Sequence, residues 1–190
     1  MSKDARIIIT YKCNRKCPGC ANTYSSVMSK AQSLTSVKQL KDYDNLVISG
    51  GEPMLFPDRV TKIAKILKKA VPQAKIFLYT ALNRGDEIER ILPYIDGINF
   101  TVHDNPGEKD IMEFHSFQAM ASRWRNKSFR LYATKSTAEN LHIIPSIWSR
   151  VKLDPWMSED DMVKAGGCPE DLFVLTKDKR PASTSDIKDK

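Results

Sequence analysis

Three closely spaced cysteines are the feature of this sequence that most clearly predicts chemistry. Cys13, Cys17 and Cys20 follow a C-x3-C-x2-C pattern, in which Pro18 and Gly19 allow a tight turn. Thiolates are soft ligands that suit iron–sulfur clusters or zinc. Three thiolates can bind three irons of a cubane cluster and leave the fourth iron without a protein ligand. The pattern therefore predicts a metal site with an open position for a small chelating molecule.

Zinc is the alternative metal for this triplet. A structural zinc site takes four ligands, and the fourth would have to come from Cys168 or a histidine, none of which lies nearby in the sequence. A disulfide framework fits less well, because it would space the cysteines more evenly and suit a secreted chain. For Cys168 itself we expect a free thiol or a residue that lines a substrate pocket.

A second motif, SGGEP, occupies residues 49–53. Gly50 and Gly51 expose backbone N–H and C=O groups and allow a ligand to approach closely. Glu52 adds an acceptor for a ligand amine. A Gly-Gly turn after a strand is common and often structural, so the motif gains its weight from the cysteine triplet that precedes it.

The segments around these motifs alternate between strand and helix. Short β-branched or apolar runs predict strands at residues 6–11, 45–49, 75–80, 97–103 and 129–134. Apolar residues at helical spacing predict helices at residues 34–42, 58–70, 86–92 and 109–124, with Asp58 capping the second. The less regular end of the chain offers helix or strand at residues 141–150 and a last short strand at 173–176.

This alternation predicts an α/β fold with a parallel sheet built from βαβ units. Parallel strands place their carboxyl ends at one edge, where the ligands of such folds bind. The cysteines follow the first strand, GGEP follows the second, and Thr80 and His103 end the third and fourth. We therefore expect the motifs to meet in space. We also expect a single domain over residues 1–176 and a polar, disordered tail at residues 177–190.

The sequence resembles the radical SAM enzymes. The signature of that family is a C-x3-C-x2-C loop after the first strand and a GGEP-like motif after the second, and both occur here within a stretch that runs from Ile7 to Thr134. The resemblance implies a partial (β/α)6 barrel with a curtailed C-terminal part. It also implies that Cys13, Cys17 and Cys20 ligate a 4Fe–4S cluster whose fourth iron is chelated by S-adenosylmethionine (SAM).

The same resemblance implies which other residues bind SAM. Those that would bind the amino end of its methionine are Gly50, Gly51, Glu52 and Pro53. Those that match the family's ribose and carboxylate contacts are Thr80, Thr101 and His103, with Asn83 in addition. One position departs from the family pattern. The residue before the third cysteine is commonly aromatic and its backbone helps to hold the adenine, whereas here it is Gly19.

The implied reaction is reductive. The reduced cluster gives one electron to SAM, which releases methionine and a 5′-deoxyadenosyl radical that takes a hydrogen from an unreactive carbon. The electron would come from a reductant such as flavodoxin or ferredoxin. We expect catalysis to need no side chains beyond those that hold the cluster and SAM.

The composition indicates in what kind of protein, and with what partners, this reaction would take place. The chain of 190 residues is 41% hydrophobic and 28% charged, which is typical of a soluble globular domain. A signal peptide and an apolar run of membrane length are both missing from the sequence, so we expect a cytoplasmic protein without a membrane partner. The net charge of +7 either attracts a phosphate-rich partner or reflects a solvated lysine-rich surface. The three tryptophans can stack on bases, although packing is their commoner use.

Three functions stay open at this point. We favour modification of a nucleoside or nucleotide in nucleic acid, for example isomerisation of an amino-acid-decorated thymidine in DNA hypermodification, because the positive charge and small size suit such a substrate. The second is an activase that installs a glycyl radical on a partner protein, which the Cys-Pro-Gly-Cys loop favours and the short segment before Cys13 opposes. The third is a non-catalytic metal-binding module, against which the amine-binding Glu52 argues.

Overall fold

The computed structural model describes residues 3–17, 19–154, 156–176 and 178, and the strands of this part form one parallel sheet. The strands are β1 (Asp4–Ile8), β2 (Gln32–Ser33), β3 (Asn45–Ser49), β4 (Lys75–Thr80), β5 (Gly97–Thr101), β6 (Ser128–Ala133), β7 (Arg150–Leu153) and β8 (Asp171–Val174). Their order is β2-β8-β1-β3-β4-β5-β6-β7. Six of them, β1 and β3 to β7, follow one another in chain order, as the predicted partial (β/α)6 barrel requires.

Helices of unequal length connect the strands. The α-helices are α1 (Ser25–Met28), α2 (Pro57–Ala70), α3 (Asp86–Ile91), α4 (Glu108–Ala121), α5 (Lys135–Glu139) and α6 (Glu159–Lys164). Short 3-10 helices occupy Ala21–Thr23, Val37–Leu40, Pro53–Leu55, Leu92–Tyr94 and Pro145–Ile147. No helix within the described ranges has both the length and the apolar character needed to cross a membrane.

The main hydrophobic core lies between one face of the sheet and helices α2, α3 and α4. Alternate strand residues such as Ile7, Ile48 and Leu78 point into it and are fully buried, as expected for strands with one face against helices. From α2, Val60 and Leu67 reach the same core, because residues seven apart lie on one face of a helix. The apolar runs of the sequence therefore fix which face of the sheet the helices cover.

The opposite face of the sheet curves inward. Arg6 of β1 lies over the ring of Tyr79 in β4, with 5.1 Å from guanidinium carbon to ring centroid, although β3 runs between those strands. Arg130 of β6 lies 4.2 Å from the ring centroid of Phe77 in β4, across β5. A Cβ on Gly97 of β5 would stand 3.0 Å from the Phe77 ring, so the glycine leaves room for this contact. Side chains two strands apart meet because the sheet bends towards them, and this face is the interior of the partial barrel.

The C-terminal part of the chain crosses from one edge of the sheet to the other. It leaves β7 at the far edge and returns to β8, which pairs with β1. Within this connection α6 packs against α1, and Glu159 of α6 accepts hydrogen bonds from the amide (2.9 Å) and hydroxyl (2.7 Å) of Ser26. A small apolar cluster that includes Ile8, Tyr24 and Leu172 lies beneath them. The two helices thus cover the interior face beside β1.

The strands predicted at residues 45–49 and 75–80 are confirmed without a shift, and the other three main strands are confirmed with moved ends. The predicted cap of α2 is wrong. Helix α2 begins at Pro57, and Asp58 lies in its first turn rather than before it. Proline fits the first helical position because its missing N–H has no partner there in any case.

Three other predictions are refined by the structure. The helix predicted at residues 34–42 shortens to the 3-10 helix Val37–Leu40, which Ser36 caps. Residues 141–150 contain the 3-10 helix Pro145–Ile147 and lead into β7. The last strand is Asp171–Val174 rather than 173–176. Of the tail predicted to be disordered, residues 177 and 179–190 lie outside the described part of the chain.

Candidate functional site

The motifs singled out in the sequence lie at one edge of the sheet. The cysteine segment follows β1, Gly50 and Gly51 follow β3, Thr80 ends β4 and Thr101 ends β5. Because these strands are parallel and adjacent, their carboxyl ends share that edge. The convergence expected from the strand–helix alternation is therefore present.

Backbone hydrogen bonds continue the pairing of β1 with β3 beyond the ends of both strands. The amide of Gly51 donates to the carbonyl of Thr10 at 2.7 Å, and the amide of Glu52 donates to the carbonyl of Lys12 at 2.9 Å. The glycine motif and the approach to the cysteines therefore run side by side. This pairing places Glu52 next to the chain that leads into the cysteine segment.

The two glycines are required by this pairing. A Cβ at Gly50 would stand 2.3 Å from the carbonyl oxygen of Thr10, and one at Gly51 would stand 2.2 Å from the carbonyl oxygen of Lys12. Gly50 also has a φ of +146°, a conformation that other residues rarely adopt. The sequence predicted that the glycines allow a ligand to approach closely. The structure shows that they also allow the backbone of Thr10 and Lys12 to approach closely.

Glu52 is a buried carboxylate that joins the ends of β3 and β4. Its side chain is held by three donors and the residue is 3% exposed. Oε1 accepts from the amide of Met54 at 2.9 Å and from the hydroxyl of Thr80 at 2.7 Å. Oε2 accepts from the amide of Ala81 at 2.9 Å. The carboxylate therefore has a single orientation, fixed from two loops.

The remaining acceptor capacity of Glu52 is on Oε2. A carboxylate offers about four acceptor sites, and Oε2 uses one of its two. Burial raises the pKa of Glu52, and the hydrogen bonds from Thr80, Ala81 and Met54 oppose that rise. An oriented, buried carboxylate with an unused acceptor site is suited to bind a ligand ammonium group.

Thr80 is directed at Glu52 rather than at open space. It is 4% exposed, its hydroxyl donates to Glu52, and the same oxygen accepts from the amide of Leu82 at 3.0 Å. The sequence predicted Thr80 as a ligand contact. In the structure its hydroxyl is taken up by these protein groups, so Thr80 positions Glu52.

The three cysteines lie within electrostatic reach of one another. Cys17 and Cys20 are half-buried and Cys13 is exposed. Burial, together with the nearby Cys20 and Cys13, raises the pKa of Cys17 to about 11. Burial likewise raises the pKa of Cys13, and Glu52 and Cys20 act in the same direction. Crowded, partly buried thiols of this kind ionise when metal cations bind them.

The three cysteines suit a cubane cluster better than a single metal ion. Within the described residues, no three Cys, His, Asp or Glu side chains converge on a point that would hold one ion. A cubane cluster makes a different demand, because each cysteine binds a separate iron and the thiolates stand apart. Three neighbouring thiols beside a buried carboxylate and a glycine-lined backbone fit a cluster that carries a small-molecule ligand.

Arg15, between the first two cysteines, ties their loop to the rest of the fold. Its Nη2 donates to the carbonyl of Ala81 at 3.4 Å and to the carboxylate of Asp110. Asp110 lies in the first turn of α4 and also accepts from the amide of Gly107 at 3.2 Å. The hydrogen bond from Arg15 holds the pKa of Asp110 below its usual range. The C-x3-C-x2-C pattern assigns no role to Arg15, although the position of this cation between two cysteines is visible in the sequence.

His103 joins the cysteine loop from the end of β5. Its Nε2 lies 3.6 Å from the sulfur of Cys17, and its ring centroid lies 5.6 Å from that of Trp156. Burial, together with the nearby Arg15, lowers the pKa of His103 to about 4, so the imidazole is neutral at pH 7. A cavity of about 260 Å³ opens here, lined by Arg15, Lys16, Cys17, His103, Asp104 and Trp156.

Asn22 connects the third cysteine to the glycine motif. Its Nδ2 donates to the carbonyl of Gly50 at 2.6 Å. The carbonyl of Cys20 accepts from the amide of Thr23 at 2.9 Å and from its hydroxyl at 2.7 Å. The chain on both sides of the triplet is therefore fastened to neighbouring loops.

The other predicted residues lie farther from this network. Thr101 is half-buried at the end of β5, and Pro53 is buried at the start of the 3-10 helix Pro53–Leu55. Asn83 accepts from the amide of Gly85 at 3.2 Å. Cys168 donates to Glu170 at 3.3 Å, and Glu170 in turn binds Arg6 at 2.7 Å.

A family model matches the part of the chain that carries most of this site. The family model described as the Radical SAM superfamily matches residues 7–121. A protein of Methanocaldococcus jannaschii whose provisional name is glycyl-radical enzyme activating enzyme MJ1227 is 38% identical over 72 residues, which are 35% of this chain and 30% of that relative's length. The crystal structure of BtrN in complex with AdoMet and 2-DOIA aligns with 72% of this chain and 58% of its own, at 15% identity and a TM-score of 0.46.

A methyl group at position 51 should break the pairing between the glycine motif and the approach to the cysteines. We expect Gly51→Ala to lower the free energy of unfolding by at least about 3 kcal/mol, because overpacking adds to two lost backbone hydrogen bonds. Gly107→Ala is the matched control, since a Cβ there has no neighbour within 4 Å, and it should cost less than about 1 kcal/mol. Urea denaturation of both variants measures this, and equal losses would contradict the steric argument.

Removing the hydroxyl of Thr80 should free the carboxylate of Glu52. We expect Thr80→Val to lower the free energy of unfolding by about 1–3 kcal/mol, because the buried Leu82 amide loses its acceptor, and Thr80→Ser to restore most of it. Thr61→Val is the control, because that buried hydroxyl donates to Pro57 within α2 and away from the site. Chemical denaturation compares the three. A Thr80→Val variant as stable as wild type would contradict the role given to the hydroxyl.

Proposed function

Because this chain belongs to the radical SAM superfamily, whose family model matches residues 7–121, we propose that Cys13, Cys17 and Cys20 hold the 4Fe–4S cluster of that family. SAM is the second cofactor that membership implies. The observation that carries the assignment of residues is the buried Glu52, held by the extended β1–β3 pairing beside the cysteine segment. A purely structural metal site has no need of a buried carboxylate with unused acceptor capacity.

When bound, the reduced cluster supplies the electron that cleaves SAM into methionine and a 5′-deoxyadenosyl radical, which abstracts hydrogen from the substrate. The residues of this chain bind and orient. Glu52 accepts a hydrogen bond from the amino group of SAM through Oε2, and Thr80 keeps that carboxylate in place. By family membership, the backbone of Gly50, Gly51 and Pro53 would contact the same ligand, and Thr101 and His103 would contact it from the end of β5.

For the substrate we favour a nucleoside or nucleotide carried by nucleic acid. This proposal is supported by Arg130, a cation in the barrel interior that lacks a negatively charged partner among the described residues. Arg130 contacts the ring of Phe77, and within the described residues no carboxylate forms an ion pair with it. Its register partner Asn99 is 1% exposed and has an unpaired Oδ1. A cation beside an unpaired amide suits a substrate that carries both a phosphate and polar base edges.

Activation of a glycyl-radical enzyme is the second candidate. It is favoured by the relative from M. jannaschii, which carries the name of such an activating enzyme. That match covers 30% of the relative's length. It therefore supports shared cofactor chemistry more than it supports action on the same kind of partner protein. In this case the barrel would receive a glycine-containing loop, which needs no cation at Arg130.

The cluster assignment predicts a specific loss in single-cysteine variants. Anaerobically reconstituted protein should contain about four irons and four sulfides per chain and form 5′-deoxyadenosine from SAM and dithionite. Cys13→Ser, Cys17→Ser and Cys20→Ser should each lose most of the iron and all product above background. Cys168→Ser is the control and should retain both, because its thiol contacts Glu170 instead. Intact iron content after any of the three triplet substitutions would contradict the assignment.

The substrate assignment predicts a role for Arg130. A thymidine-containing DNA oligonucleotide should bind with an affinity that falls steeply as salt rises, and Arg130→Gln should weaken that binding about tenfold, as expected for loss of a charged hydrogen bond. Arg125→Gln, at an exposed position after α4, should change it little. Fluorescence anisotropy measures both. Absent or salt-insensitive binding, together with a glycyl-radical EPR signal on a partner protein, would favour the activase instead.

A further inference from the structure

We propose that Trp156 is the stacking surface for a nucleobase in the cavity beside the cysteine loop. The base belongs either to the adenosyl group of SAM or to a nucleotide substrate, which share this chemistry. The inference rests on the proposed function. It goes beyond it by assigning a binding residue to the C-terminal connection, outside the segment that matches the family model.

The first observation is the position of Trp156. It follows β7 in the connection that leads to β8, and it lines the cavity together with Cys17 and His103. The volume of about 260 Å³ is just below the range of about 300–1,000 Å³ that holds drug-sized ligands. The cavity therefore suits one planar ring system rather than a whole cofactor.

The second observation separates Trp156 from the other two tryptophans. Trp148 is buried, stacks on Phe114 with an interplanar angle of 2°, and donates to Gln118 at 3.0 Å. Trp124 packs at the margin of the main core. Trp156 is half-buried and meets the His103 ring at a tilt of 41°, which is not a stacked arrangement. Its indole therefore retains a surface on which a base can lie.

The third observation is how the chain holds Trp156 against the cysteine loop. Gly19 has a φ of +77°, and a Cβ there would stand 3.9 Å from the Cβ of Trp156 and 3.2 Å from the hydroxyl oxygen of Tyr24. That hydroxyl donates to the carbonyl of Met157 at 2.9 Å. Because position 19 has no side chain, Tyr24 and the segment that contains Trp156 can pack closely against the cysteine loop, which brings the aromatic ring beside it.

The polar groups around the ring suit a base better than an apolar ligand. Lys16 supplies hydrogen-bond donors and Asp104 supplies acceptors at the cavity wall, and both are exposed. An aromatic platform with donors and acceptors at its margin is the arrangement that proteins use to bind bases by stacking.

The test compares Trp156→Leu, Trp156→Phe and the control Met157→Leu in anaerobically reconstituted protein. Equilibrium dialysis gives the affinities for SAM, for methionine and for thymidine 5′-monophosphate. We expect Trp156→Leu to weaken binding of SAM or of the nucleotide about tenfold, the loss typical of one base–aromatic stack. Trp156→Phe should retain most of the affinity. Methionine, which has no base, should bind equally to all variants, and Met157→Leu should behave as wild type.

The two ligands distinguish the source of the base. Weaker SAM binding with unchanged nucleotide binding assigns the stack to adenine, and the reverse assigns it to the substrate. Unchanged affinity for both ligands overturns the inference, and so does an equal loss for methionine, which would indicate a damaged loop. The proposed function fails separately, since it requires wild-type protein to form 5′-deoxyadenosine whatever Trp156 does.

Discussion

The backbone pairing that continues from β1 and β3 into the loops beyond them is the constraint on which the site depends. Hydrogen bonds from Gly51 to Thr10 and from Glu52 to Lys12 keep the two loops in contact, and only glycine leaves enough space for that contact. Once the loops are joined, Glu52 has a fixed position, and Thr80 and Ala81 complete its hydrogen bonds from β4. Three strand ends are thereby coupled through one buried carboxylate. Burial of such a group is costly unless its acceptors are satisfied, so the network favours one arrangement over others.

The cysteine loop is fastened on its other side by a charge pair. Arg15 reaches both the carbonyl of Ala81 and the carboxylate of Asp110, which links the loop to the end of β4 and the start of α4. The sulfur atoms make weaker contacts: the amide of Arg15 donates to Sγ of Cys13 at 3.4 Å, and Nε2 of His103 lies 3.6 Å from Sγ of Cys17. The raised pKa values of the Cys13 and Cys17 thiols follow from burial and from the proximity of neighbouring thiols. The strongest hydrogen bonds and the ion pair are thus made by the loops around the thiols, which leaves the sulfur atoms available to bind metal.

Much of this was predictable from local sequence patterns, and the remainder has a common physical cause. The strands Asn45–Ser49 and Lys75–Thr80 are apolar runs with clear ends, and the alternation of strands and helices implies a parallel sheet with its motifs at one edge. The sequence could not tell that Thr80 faces Glu52, because that depends on how two loops approach each other. It also gave no reason to connect Arg15 with Asp110, which are far apart in the chain. Contacts between loops depend on tertiary geometry, which periodicity does not encode.

The C-terminal connection shows why the least patterned part of the chain matters for function. Strand β8 pairs with β1, whereas β7 lies at the opposite edge of the sheet, so the chain between them has to cross the barrel. This crossing segment first contacts the chain that follows the cysteine loop, since the carbonyl of Met157 accepts a hydrogen bond from Tyr24. It then contacts α1, since Glu159 accepts a hydrogen bond from Ser26. Residues 7–121 carry the family's shared chemistry, which is the generation of the radical. The crossing segment lies outside that match and contributes Trp156 to the cavity wall. A segment outside the family match therefore completes the wall of the site that the matched residues build.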